Sequence, residues 1–184
     1  MKRLDVMVDI ETLGTDLNAS MIMLAWVVFD MKSLERSEFK IYIRHNDAVV
    51  NIDTLRWWLD TDAELLNDIL AKAFITEKEA IAEFVRVINL LKKDADVYLW
   101  GNGILFDNGI IKSKCTYYGI PYPIDYDKDR DVRTLLDLYT TRTGTTKALL
   151  KDMFKPSKEH DALADCIAQI NMVRYMYGGL TTHD

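Results

Sequence analysis

The stretch Leu4-Asp5-Val6-Met7-Val8-Asp9-Ile10-Glu11-Thr12 constrains this chain more than any other, because it sets two carboxylates where a β-strand normally buries apolar side chains. Strand alternation sends Leu4, Val6, Val8 and Ile10 to one face and Met7, Asp9 and Glu11 to the other. The two acids then share a face, roughly 7 Å apart. Anions that close inside a fold are costly unless protons or cations compensate, and a divalent metal is the usual compensation when every ligand is oxygen. A strand end running into a polar turn at Gly14-Thr15-Asp16 writes the same pattern, so the metal reading needs further carboxylates in unusual settings.

Two such settings exist. His160-Asp161-Ala162-Leu163-Ala164-Asp165-Cys166 opens the last strongly helical segment, with Pro156 upstream and Gly178-Gly179 beyond its end. Asp161 reads as an N-cap, which leaves His160 on the entry loop and Asp165 in the first turn. From Asp165, helical spacing leads to Ala168, Gln169, Met172 and Met176, so this is the inward face. An unpaired carboxylate there is costly or turns neutral, and metal ligation removes the cost. An acid that merely favours the helix N-terminal dipole remains the alternative. In the second setting, Val97-Tyr98-Leu99-Trp100 ends in Gly101-Asn102-Gly103, and Asp107 stands just past that turn at the start of another helical pattern. Ligands collect outside strand ends in open α/β sheets, although an N-cap role also accounts for Asp107 taken alone.

Periodicity places strands near 4–11, 21–29, 38–44 and 96–100, and helices near 54–70, 77–93, 105–118, 132–141, 146–153 and 161–177. That pattern by itself is mixed α/β. With 184 residues and 49% hydrophobic content, one domain over residues 1–184 with one sizeable core is expected. No window approaches a membrane span, and Met1-Lys2-Arg3 runs straight into the first strand without a signal-peptide core. Cys115 and Cys166 read as two buried free thiols in a reducing cytoplasm.

Asp9 and Glu11 in a first strand, Asp107 at a strand-to-helix turn, and His160 five residues before Asp165 resemble the three motifs of the DEDDh 3′–5′ exonucleases, the DnaQ-like group of the RNase H-like superfamily. The phage exonuclease A and exodeoxyribonuclease VIII-like branch is similar in more detail. The shared residues are Trp57-Trp58, Gly101-Asn102-Gly103, Phe106-Asp107-Asn108, Arg130 to Thr134, and His160-Asp161-Ala162 with Gln169. The likeness spans residues 4 to 170, and Thr61 stands where that branch carries Gln.

The resemblance implies an RNase H-like (exonuclease) fold of the α/β class, a central mixed sheet of about five strands flanked by helices. It implies metal-dependent hydrolysis of DNA or RNA from the 3′ end, releasing nucleoside 5′-monophosphates in a bacterial or phage-infected cytoplasm. Two Mg²⁺ or Mn²⁺ ions about 3.5–4 Å apart are expected, held by Asp9, Glu11, Asp107 and Asp165. His160 is the implied general base, a task suited to imidazole chemistry near neutral pH. The expected substrate contacts are Thr12, Leu13, Trp57, Trp58, Asn102, Phe106, Asn108 and Arg133.

A formal net charge of −6 argues against wrapping long duplexes, which takes an extended basic surface. It accords with an enzyme that holds a few nucleotides of a single-stranded or 3′-recessed end, using local charge from Arg130, Arg133, Lys147, Lys151, Lys155 and Lys158. Trp57 or Trp58 offers a face for a terminal base; Leu55, Leu59, Leu65 and Leu66 make core packing of at least one of the two an equal expectation. Asp125-x-Asp127-x-Asp129-x-Asp131 imitates an EF-hand opening, but Arg130 replaces the required Gly and Leu136 the required Glu, so a surface acidic loop is expected. An RNase H-like endonuclease and a catalytically silent nucleic-acid-binding module stay open as alternatives, as does a homo-oligomer. No membrane association is expected.

Overall fold

Three strands in antiparallel succession open the chain: β1 (Lys2–Thr12), β2 (Met21–Phe29) and β3 (Arg36–Arg44). The computed structural model describes residues 2–181, so Met1 and residues 182–184 lie outside the described residues. β2, Met-Ile-Met-Leu-Ala-Trp-Val-Val-Phe, is buried at every position, as a strand covered on both faces must be. Next come α1 (Ile52–Lys72), β4 (Ile75–Thr76), α2 (Glu77–Leu91), β5 (Ala95–Gly101) and α3 (Asp107–Tyr117). β6 (Asp129–Asp131), α4 (Val132–Thr143), α5 (Lys147–Met153) and α6 (Ala162–Thr181) follow.

The sheet runs β4-β3-β2-β1-β5-β6, with β5 parallel to β1. Alternation along β1 sorts its side chains as the sequence requires. Val6, Val8 and Ile10 join Ile81, Phe84 and Ile110 on one side of the sheet, while Met7 joins Trp58, Trp100, Cys166 and Val173 on the other. α6 lies across β1 and β2 on the Met7 side. Both cysteines are buried and free.

The sheet has six strands where about five were expected. β4 and β6 span two and three residues, too short to leave any periodic signal. The second half of the acidic run is therefore structured, which corrects the expected surface loop. Asp129 Oδ1 accepts a hydrogen bond from Asn108 Nδ2 at 2.7 Å, and Asp131 Oδ1 accepts from the Gly103 and Arg133 amides at 3.1 Å, tying the turn after β5 to the cap of α4. α1 is broken at Asp62 (φ −156°, ψ 75°), whose carboxylate accepts from Leu65 N at 2.8 Å and restarts the helix as an N-cap would.

Candidate active site

Four acids meet where the C-terminal end of β1 faces the first turns of α3 and α6. Asp9, Glu11 and Asp165 each offer a ligand oxygen, and the three oxygens lie within 4.8 Å of one another. Asp107, the first residue of α3, is buried and close enough to raise the pKa of both Asp9 and Glu11. Nothing local forces these charges together. β1 supplies two of them by alternation, and the two helices converge on its end because their apolar faces pack on the sheet.

Titration behaviour records the crowding. Burial pushes Asp9 well above the usual carboxylate range, and the charges of Asp107, Glu11 and Asp165 push it further, while the hydrogen bond from Gln169 Nε2 at 2.9 Å opposes them. Glu11 is raised by burial and then by Asp165, Asp107 and Asp161. Burial raises Asp107 to about 7, against the pull of backbone amides at Ile10, Asp107 and Asn102 and of the Arg133 charge. Asp165 stands at about 6, lifted by burial and then by Asp161 and Glu159. A cluster that resists ionisation alone, built only of hard oxygen donors, fits a divalent cation of the Mg²⁺ or Mn²⁺ type.

His160 lies on the turn into α6 with φ +59°, a left-handed conformation uncommon outside glycine. Trp57 and Trp58 both meet its ring edge-on, at centroid distances of 4.9 and 6.1 Å. Asp161 caps α6, accepting from Leu163 N and Ala164 N at 3.2 Å, and is gripped by Lys40 Nζ at 2.8 Å from β3. Lys40 carried no sequence signal, since its partner is 121 residues away.

Two cavities flank the acids. One, of about 540 Å³, is lined by Glu11, Thr12, Gly14, Thr54, Trp57 and Phe106 among others. The other, of about 630 Å³, is lined by Asn102, Arg133, Lys151, His160, Asp165 and Gln169 among others. The tryptophans divide their roles. Trp57 is 44% exposed, whereas Trp58 is 1% exposed and donates from Nε1 to Thr12 O at 2.9 Å, bracing the strand end beside Glu11.

Two of the expected substrate contacts, Leu13 and Asn108, have buried side chains. Leu13 is buried in the core with Trp58. Asn108 is buried beneath Gly101, where a Cβ would stand 2.5 Å from its Oδ1, and turns its amide to Asp129. Each follows from packing that sequence spacing does not report.

The comparisons with known proteins converge. Residues 4–177 match the family described as the Rv2179c-like 3′–5′ exoribonuclease domain. The chain belongs to this family. An exodeoxyribonuclease of Enterobacteria phage T4 is 24% identical over 200 residues, covering 93% of this chain and 88% of the phage protein. Cell-death related nuclease 4 shares the fold at a TM-score of 0.72 and 14% identity; 97% of this chain aligns, spanning 64% of that nuclease. The nuclease domain of 3′hExo, a DEDDh family member crystallised with rAMP, gives 0.69 and 14%, with coverage of 97% and 93%. The protein is thus a 3′–5′ exonuclease with nucleic acid as its substrate, built on the RNase H-like sheet that the solved nucleases share, and its acidic cluster suits a divalent metal. Among the described residues of this exonuclease, no helix is long and apolar enough to cross a membrane.

Proposed function

We propose that this exonuclease removes nucleotides one at a time from the 3′ end of a single strand or a 3′-recessed end, releasing nucleoside 5′-monophosphates, with Asp9, Glu11, Asp107 and Asp165 holding two Mg²⁺ or Mn²⁺ ions. When bound, the ions would lower the pKa of the attacking water and neutralise charge on the leaving 3′ oxygen. His160 removes the proton from that water as general base, its ring held by Trp57 and Trp58. Gln169 orients the Asp9 carboxylate. The terminal nucleotide occupies the Trp57 cavity, where the exposed indole and Phe106 offer faces to its base. The phosphates behind it follow the cavity lined by Arg133 and Lys151, neither of which has an acidic partner among the described residues. Two buried free thiols suit a reducing cytoplasm.

The observation that carries this reading is the convergence of the three carboxylate oxygens within 4.8 Å, with Asp107 behind them. The test is digestion of matched single-stranded DNA and RNA oligonucleotides, with free or blocked 3′ ends, in Mg²⁺, Mn²⁺ or EDTA. Metal-dependent ladders from free 3′ ends only are expected, and the faster substrate identifies the preferred sugar. Cleavage of blocked ends would make the enzyme an endonuclease, and binding without cleavage would make it a silent module.

A further inference from the structure

The loop over residues 13–20, which joins β1 to β2, borders two cavities. Gly14 and Thr15 line the Trp57 cavity beside Glu11, while Asn18 and Ser20 line a separate one of about 230 Å³. Behind this second cavity lies a buried ion pair that the hydrolytic chemistry does not use. Lys114 Nζ is 3.1 Å from Glu77 Oε2, with side chains 8% and 5% exposed. Glu77 opens α2, and Lys114 lies on α3, the helix that begins with Asp107.

Lys114 reaches the loop's backbone, and Glu77 reaches the first residue of β2 at the loop's end. Lys114 Nζ donates to Asn18 O at 3.0 Å, and Glu77 Oε1 accepts from Met21 N at 2.9 Å. Glu77 Oε2 also accepts from Tyr118 Oη at 2.8 Å, and His45 Nε2 lies 2.7 Å from Met21 O. The loop touches α3 a second time through Leu17, 3.3 Å from where a Cβ on Gly109 would stand. A buried ion pair is a poor source of stability, since an apolar pair of similar volume commonly does as well or better. Gripping the carbonyl of residue 18 and the amide of residue 21 is something an apolar pair cannot do.

We infer that Glu77 and Lys114 are positioning residues, a strut between α2 and α3 that holds the 13–20 loop so that Gly14 and Thr15 form a fixed wall for the terminal nucleotide. This rests on the reading of the Trp57 cavity as the terminal-nucleotide site. The strut lies behind the loop, away from the carboxylates, so it acts on substrate fit rather than on metal or proton transfer.

The test is the paired variant Glu77→Leu with Lys114→Met, which leaves no unpaired charge behind, measured for KM, kcat, Mn²⁺ affinity by calorimetry, and hydrogen exchange of loop peptides. KM is expected to rise about tenfold, the scale of one lost well-placed hydrogen bond, with kcat and Mn²⁺ affinity near wild type and faster exchange over residues 13–20. Tyr118→Phe, which keeps the ion pair, should leave KM unchanged. If the paired variant does not fold, Lys114→Gln serves in its place: the shorter side chain withdraws the donor from Asn18 O, while Glu77 keeps Met21 N and Tyr118 as partners. Unchanged loop exchange overturns the strut whether or not the enzyme degrades 3′ ends. Faster exchange with unchanged KM overturns its role in substrate fit, and kcat and Mn²⁺ affinity falling with KM would assign the pair to the fold as a whole. Absence of any wild-type activity on 3′ ends would instead overturn the exonuclease reading.

Discussion

Asp9 shows what one residue's surroundings can demand. Its carboxylate meets three others and a single compensating donor, Gln169. Asp9→Ala and Asp165→Ala should abolish turnover while raising the melting temperature of the metal-free protein by a few degrees at pH about 8, because anion repulsion is relieved; near-normal digestion by either purified variant would remove that residue from the metal site. The pH dependence follows from the same charges. Folded Asp107 and Asp165 titrate at about 7 and about 6, against an ordinary value of 3.8. Between those limits the folded state binds more protons than the unfolded chain, so these groups stabilise fully below about 4 and that stability is lost progressively as pH rises from about 4 to about 7. Melts in EDTA should therefore fall across that window, and Mn²⁺ should suppress the fall. His160→Ala should slow hydrolysis by about 10²–10⁴-fold with Mn²⁺ binding retained in calorimetry; loss of the metal in that variant would make His160 a ligand. The types and spacing of Asp9, Glu11, Asp107, His160 and Asp165 were legible in the chain. Gln169 as the partner of Asp9 was not, because the two lie 160 positions apart.

The start of α6 carries three distinct groups within six residues: His160, the proposed general base; Asp161, the helix cap and Lys40 partner; and Asp165, one of the three clustered carboxylates proposed to hold metal. Asp161→Asn keeps the cap and loses only the ion pair, whereas Asp161→Ala loses both and should cost about 1 kcal/mol more, measured by urea unfolding with metal present. Equal costs would mean that the cap does not hold this end of the helix. The cap was legible because capping is local chemistry, read within four residues. Lys40 was not, since β3 and the start of α6 meet only in the folded chain, 121 positions apart. The same contrast separates the long elements from the short ones. β2 and α6 repeat their pattern often enough to be read, but β4 and β6 exist only because neighbouring strands offer them an edge.

For the molecule as a whole, a net charge of −6 coexists with substrate binding because the proposed backbone path needs only a local pair of cations, and Arg133 and Lys151 line one cleft. With Arg133 and Lys151 as the principal phosphate contacts, log KM should change with log salt with a slope of about 1.4, and either alanine variant should reduce the slope by about 0.7. A slope unchanged in both variants would move the backbone path elsewhere. The sequence by itself determined the alternation of β1, the pairing of Asp9 with Glu11 on one face, and the polarity of the helices that bring Asp107 and Asp165. These depend on periodicity and capping, which act over a few residues. Only the tertiary structure decided that Trp57 faces the cleft while Trp58 braces Thr12, that Asn108 turns to Asp129, and that Glu77 and Lys114 grip the 13–20 loop. Those outcomes depend on which distant groups remain to be satisfied once the layers have packed.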